Sequence, residues 1–184
     1  YQLWGIDYKI ILVITQVMGY MLSKFYGIRF IAELKRQGRG RLILLLTRIS
    51  WLSWLCFALL PPPYNFWCLF FNGFPLGMLW GVVVSYVEGR RSTDFISAFL
   101  AVSFIFGSGL AKSVGSAVMQ FGQVSEYWMP FTVGLVFSLP LLLFVYLLEQ
   151  IPDPDAEDVH YRMKRQPLNK EQRMTLVKSY FPGL

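Results

Sequence analysis

The 184-residue sequence is short of charge, of histidine and of cysteine, and each shortage removes a class of protein. Charged residues make up 15% of it and hydrophobic ones 55%, whereas an ordinary soluble domain carries about 25% charge. Too few charges remain to coat a water-facing surface. The lone histidine, His160, lies in a polar tail, so no ligand cluster forms and neither a metal nor another cofactor is expected. The two cysteines, Cys56 and Cys68, sit on adjacent apolar runs whose packed axes would lie about 8 to 10 Å apart. That spacing is awkward for a disulfide, and both read as small buried hydrophobes. No acid, base and nucleophile set is recognisable, which argues against an enzyme.

What is present is a series of long apolar runs. A membrane-crossing helix needs about 20 mostly apolar residues, and five runs reach that length: Lys9 to Ile28, Leu42 to Leu60, Tyr64 to Val87, Phe95 to Met119, and Trp128 to Leu148. The expected fold is an all-α polytopic membrane bundle over residues 1–149, followed by a polar tail over 150–184. In the tail, Asp153, Asp155, Glu157 and Asp158 form a proline-containing acidic stretch, read as a flexible exit. Asn169 then caps a short amphipathic helix over 169–181, with Gln172 three residues on and Met174, Val177 and Phe181 on one face.

The net charge of +6 is a topology signal and does not point to nucleic acid. Basic residues collect in cytoplasmic connections. The first connection holds Lys24, Arg29, Lys35, Arg36, Arg39 and Arg41 against Glu33, and the third holds Arg90 and Arg91. The second, Pro61 to Pro63, is uncharged, and the fourth contains only Glu126. These assignments put the C-terminus inside and Tyr1 outside a plasma (bacterial inner) membrane. The aromatic pairs Trp4 with Tyr8, Tyr64 with Trp67, and Tyr127 with Trp128 then mark the outer interface. No initiator Met, basic leader or earlier hydrophobic segment carries Tyr1 across, so a preceding span is expected, and more chain is expected after Leu184.

Charges inside spans cost about 2.5 to 3.5 kcal/mol at a helix centre, so each invites a functional reading. Arg48 on the second run leans toward the nearby basic end and can snorkel. Lys112 on the fourth leans toward the bilayer middle and cannot escape so readily. It is the leading candidate to line a cavity and attract an anionic group, with a structural ion pair as the competing reading. Gln16 and Asn72 are further intramembrane polar groups that suit either a solute or interhelical bonding. No Asp or Glu lies well inside any run. Pro75 and Pro140 interrupt their helices, either as static kinks or as points of bending.

The segment Gly19-Tyr-Met-Leu-Ser23-Lys24-Phe-Tyr-Gly27-Ile-Arg29 resembles the loop between helices two and three of the major facilitator superfamily, approximately Gly-x-x-x-Asp-Arg/Lys-x-Gly-Arg-Arg/Lys. Gly19 and Lys24 match in position, Gly27 and Arg29 match after one inserted residue, and Ser23 stands where the acid belongs. The resemblance implies that the five runs are helices two to six of a six-helix half, with the tail beginning the central loop. It also implies a cytoplasmic latch in which Lys24 and Arg29 pair with Glu88 in the Glu88-Gly-Arg90-Arg91 cluster; these basic residues also suit topology alone. The stripes Gly73, Gly77, Gly81 and Gly107, Ala111, Gly115 are similar to those of facilitator helices four and five, and they equally suit generic helix packing. The pattern is also similar to a facilitator-like bacterial family with no assigned substrate. The function implied is secondary transport of a small solute by alternating access, with the bilayer, the missing helices and the solute as partners. The alternative is a non-transporting scaffold or sensor that keeps the fold.

Overall fold

The structure, a computed structural model, describes residues 2–3, 5–34, 38–87, 90, 92–152, 158, 171–172, 174–175 and 179. Among them are five helices, α1 (Tyr8–Glu33), α2 (Arg39–Leu59), α3 (Phe66–Val87), α4 (Thr93–Gly122) and α5 (Met129–Glu149). Each is long and apolar enough to cross a membrane. A short antiparallel pair, β1 (Gln2–Leu3) with β2 (Ile6–Asp7), turns at Gly5 and leads into α1, where the Asp7 carboxylate caps the helix by accepting the Lys9 N–H at 3.0 Å. The chain divides into two units. Tyr1–Glu88 with Ser92–Asp153 holds all five helices, and Gly89–Arg91 with Pro154–Leu184 forms the other. In the second unit the described residues of the expected amphipathic segment are helical, and the Thr175 hydroxyl donates to the Glu171 carbonyl at 2.9 Å. Asn169, Val177 and Phe181, with Asp153, Asp155, Glu157 and His160, lie outside the described residues.

In the helical unit α3 is the hub, packed along its length against α1 and α2; α5 lies against α2, and α4 against α5. Serial spans must alternate in direction, and the contacts at each end agree. The Tyr8 hydroxyl at the start of α1 reaches the Pro63 carbonyl and the Asn65 side chain in the α2–α3 turn. Phe57 near the end of α2 stacks on Tyr127 in the α4–α5 turn. At the opposite, basic end, Arg39 of α2 reaches Ser85 of α3, and Glu149 of α5 lies against Gly40 of α2.

The residue pattern of α2 shows how burial is chosen. Ile43, Leu46, Ser50, Ser53 and Phe57, spaced by three and four residues, form its buried seam, as one face of a 3.6-residue helix requires. Two apolar clusters result, Ile43, Leu46, Val82, Tyr86, Val87 and Val145 toward the basic end and Phe57, Cys68 and Leu69 toward the other. Large apolar side chains elsewhere point outward, Phe106 and Leu139 at 74% and 76% exposure among them. In water so much exposed apolar surface is untenable for a stable monomer; in hydrocarbon it is the expected outer face.

Three expectations change. Helix α1 runs on to Glu33, past the expected end at Ile28, so Arg29 is helical and the first connection is shorter than the sequence implied. Tyr8 is buried, not an interfacial ring, since its hydroxyl is drawn to the α2–α3 turn. Cys56 is exposed while Cys68 is buried, and both are free thiols; position 56 falls opposite the α2 seam.

Candidate functional site

Between the two apolar clusters lies a polar layer that joins three helices. Asn72 on α3 is 1% exposed. Its side-chain oxygen accepts from Gln16 Nε2 of α1 at 2.7 Å, and its amide nitrogen donates to the Ser50 carbonyl at 2.9 Å and the Ser50 hydroxyl at 2.7 Å on α2. Ser50 in turn directs its hydroxyl at the Asn72 carbonyl, 3.3 Å away. Pro75 lies buried just beyond, and a helix-interior proline weakens the backbone bonding of the preceding turn. The carbonyl that loses its helix donor to Pro75 is that of Phe71, four residues earlier, and the Ser50 hydroxyl adds a bond from a neighbouring helix to the next carbonyl along. Both amide protons of Asn72 are therefore used within the protein.

The glycines of α1 and α3 explain how these groups come so close. The two helices run side by side in the same direction. A methyl group at Gly73 would strike the Gln16 carbonyl, one at Gly77 the Tyr20 carbonyl and the Ser23 hydroxyl, and one at Gly19 the Phe70 carbonyl. Gly27 would meet Met78 Cγ at 3.2 Å and Gly81 would meet Ile31 Cδ1 at 2.6 Å. Such small-residue seams let backbones approach where lipid supplies no hydrophobic drive. Ser23 is wholly buried in this seam, its hydroxyl on the Tyr20 carbonyl at 2.9 Å. A carboxylate there would be buried against the α3 backbone at a heavy desolvation cost, so the acid of the facilitator pattern has no room at this point. On α4, a methyl group at Gly115 would meet Met129 Sδ of α5 at 3.2 Å, whereas one at Gly107 would face open space.

At the basic end, the cation that ties helices together within the described residues is Arg39. Its Nη1 donates to the Ser85 carbonyl at 2.7 Å and its Nη2 to the Leu34 carbonyl at 3.5 Å, with the guanidinium carbon 5.7 Å from the Tyr86 ring centre. Both carbonyls lie at helix C-termini, where backbone oxygens lack intrahelical partners and a cation is favoured. The Glu149 carboxylate sits at Gly40, in the first turn of α2, where an anion is favoured. Lys24 lies over the Tyr20 ring at 4.7 Å. Arg90 belongs to the second unit. Glu88, Arg91 and the side chain of Arg29 lie outside the described residues.

The two intramembrane cations face outward. Arg48 is on the exposed face of α2, opposite its buried seam. Lys112 is exposed on α4, whose only buried residue is Gly115. Neither makes a hydrogen bond or ion pair among the described residues. Of the four candidate solute contacts, the structure brings Gln16 and Asn72 together and leaves Arg48 and Lys112 apart on different helices. Ser50 and Arg39 are the members that reading the sequence did not single out. The three-residue step from Ser50 to Ser53 in a mainly apolar run, and the glycines flanking Arg39 at Gly38 and Gly40, were the available signals.

No curated protein and no solved structure matches the chain. All of it, residues 1–184, matches the sequence model of a family of unknown function, DUF5690, and the chain belongs to that family.

Proposed function

We propose that this member of a family of unknown function is the larger part of one six-helix half of a facilitator-type secondary transporter. It sits in a plasma (bacterial inner) membrane with its basic end cytoplasmic, and it moves a small solute carrying an anionic group by alternating access. The observation that carries the reading is Lys112: a cation in the interior of a 30-residue apolar helix, exposed, with no partner among the described residues. A charge at that depth persists where it faces water, a solute or an opposite charge. The glycine-knit α1–α3 pair supports a stiff framework for rocking motion, and the Pro75 region gives α3 a point of bending.

The test is uptake of radiolabelled organic and inorganic anions into vesicles containing the full-length protein, beside Lys112→Ala. Loss of a charge-assisted contact is expected to lower uptake at least about tenfold. Unchanged uptake in the variant removes Lys112 from the mechanism. Intact wild-type protein that takes up none of the anions favours the non-transporting scaffold or sensor instead.

A further inference from the structure

The outward face of α2 carries a charge pattern that neither the bundle nor the transport reading uses. Opposite the buried seam runs an exposed stripe, Arg41, Leu45, Arg48, Leu52, Cys56 and Leu59, spaced by three and four residues and thus aligned along one side of the helix. Its half nearest the basic end holds two arginines, and its other half is apolar. The helix Arg39–Leu59 contains no Asp or Glu. Neither arginine has a hydrogen bond or ion pair among the described residues, and the carboxylate of Glu149 lies at Gly40, on the buried side of α2.

The depth of Arg48 makes this arrangement demanding. It stands nine positions into a 21-residue helix, roughly 13 Å along the axis at about 1.5 Å per residue. The whole helix is about as long as the hydrocarbon layer is thick. A guanidinium facing lipid there must reach toward the nearer headgroups and draw a counter-charge inward. Side chains on a helix lean toward its N-terminus, so Arg48 leans over Leu45 toward Arg41, seven positions earlier.

We infer that this stripe is a docking site for one anionic phospholipid, its phosphate shared by Arg41 and Arg48 and its acyl chain lying along Leu45, Leu52 and Leu59. Guanidinium groups suit phosphate because their planar fork donates two bonds at once. A zwitterionic lipid fits worse, since its ammonium would face the same two cations. Among the described residues no acid and no neighbouring helix faces the stripe, and the site is independent of Lys112 and of whether the protein transports.

The experiment is native mass spectrometry of the full-length protein released from micelles containing equimolar phosphatidylglycerol and phosphatidylcholine. Wild type is expected to retain phosphatidylglycerol preferentially. Arg41→Gln and Arg48→Gln are each expected to reduce that preference about fivefold, the effect of one basic residue at a membrane surface. Arg48→Lys, which preserves charge and folding, should keep more than half of it. Lys9→Gln, which removes a cation at the far end of the bundle, should leave it unchanged. No preference in wild type, an undiminished preference in both glutamine variants, or an equal loss in Lys9→Gln overturns the site.

Discussion

Helices α1 and α3 meet through glycine, while α4, among the described residues, meets its neighbours far more sparsely. In the first pair the backbones touch at Gly19, Gly73 and Gly77, and amide side chains close the layer behind them. Along α4, Phe95, Phe99, Phe104 and Phe106 point outward, and only Gly115 is buried. Both helices carry small-residue stripes, so the stripe alone does not decide packing. The difference is that α3 offers its stripe together with Asn72, a polar group that lipid cannot satisfy, and so requires neighbours. Small residues permit close approach; a buried amide demands it.

The contrast breaks first, if it breaks, at the glycines. Gly73→Val or Gly77→Val should destabilise the protein by about 3 kcal/mol or more, because backbone carbonyls and not flexible side-chain ends stand in the way. Gly107→Val, facing open space, should be near neutral. Thermal unfolding followed by detergent size-exclusion chromatography measures both, and equal effects would erase the distinction. Next in size is Asn72→Leu, which strands Gln16 and Ser50. Interhelical bonds in membranes contribute about 0.6 to 1.7 kcal/mol each, so a loss of about 2 kcal/mol is expected in the same assay, with Ser50→Ala losing less. Smallest is the ion pair of Lys9 with Glu126 at 3.7 Å, whose side chains are 83% and 75% exposed. Glu126→Gln should cost at most about 0.5 kcal/mol and nothing measurable at high salt; a larger, salt-resistant effect would show that the α4–α5 turn is held more firmly than its exposure implies.

Much of the fold was legible because hydrocarbon thickness imposes a length that sequence runs must match. Five apolar runs became five helices, with ends moved by a few residues where Tyr8 and Arg39 join the helix. The end of α1 was the exception: the basic residues suggested an end at Ile28, yet the helix continues to Glu33, with Ile31 packed at Gly81 inside the α1–α3 contact. The candidate site was legible only as a set of polar residues. Composition cannot tell which side of α2 faces its neighbours, and that single rotation separates Ser50, which bonds to Asn72, from Arg48, two residues before it, which faces away. The bond between Gln16 and Asn72 spans 56 positions in sequence, and no local pattern announces it.

That separation also bears on how the protein is made. Because α1 finds its seam on α3 and not on the helix that follows it, Gln16 and the glycines of α1 must wait in the bilayer for that partner until two further segments have left the insertion machinery. A nascent chain halted after Leu59 would present that open face to whatever chaperone or protease patrols the membrane.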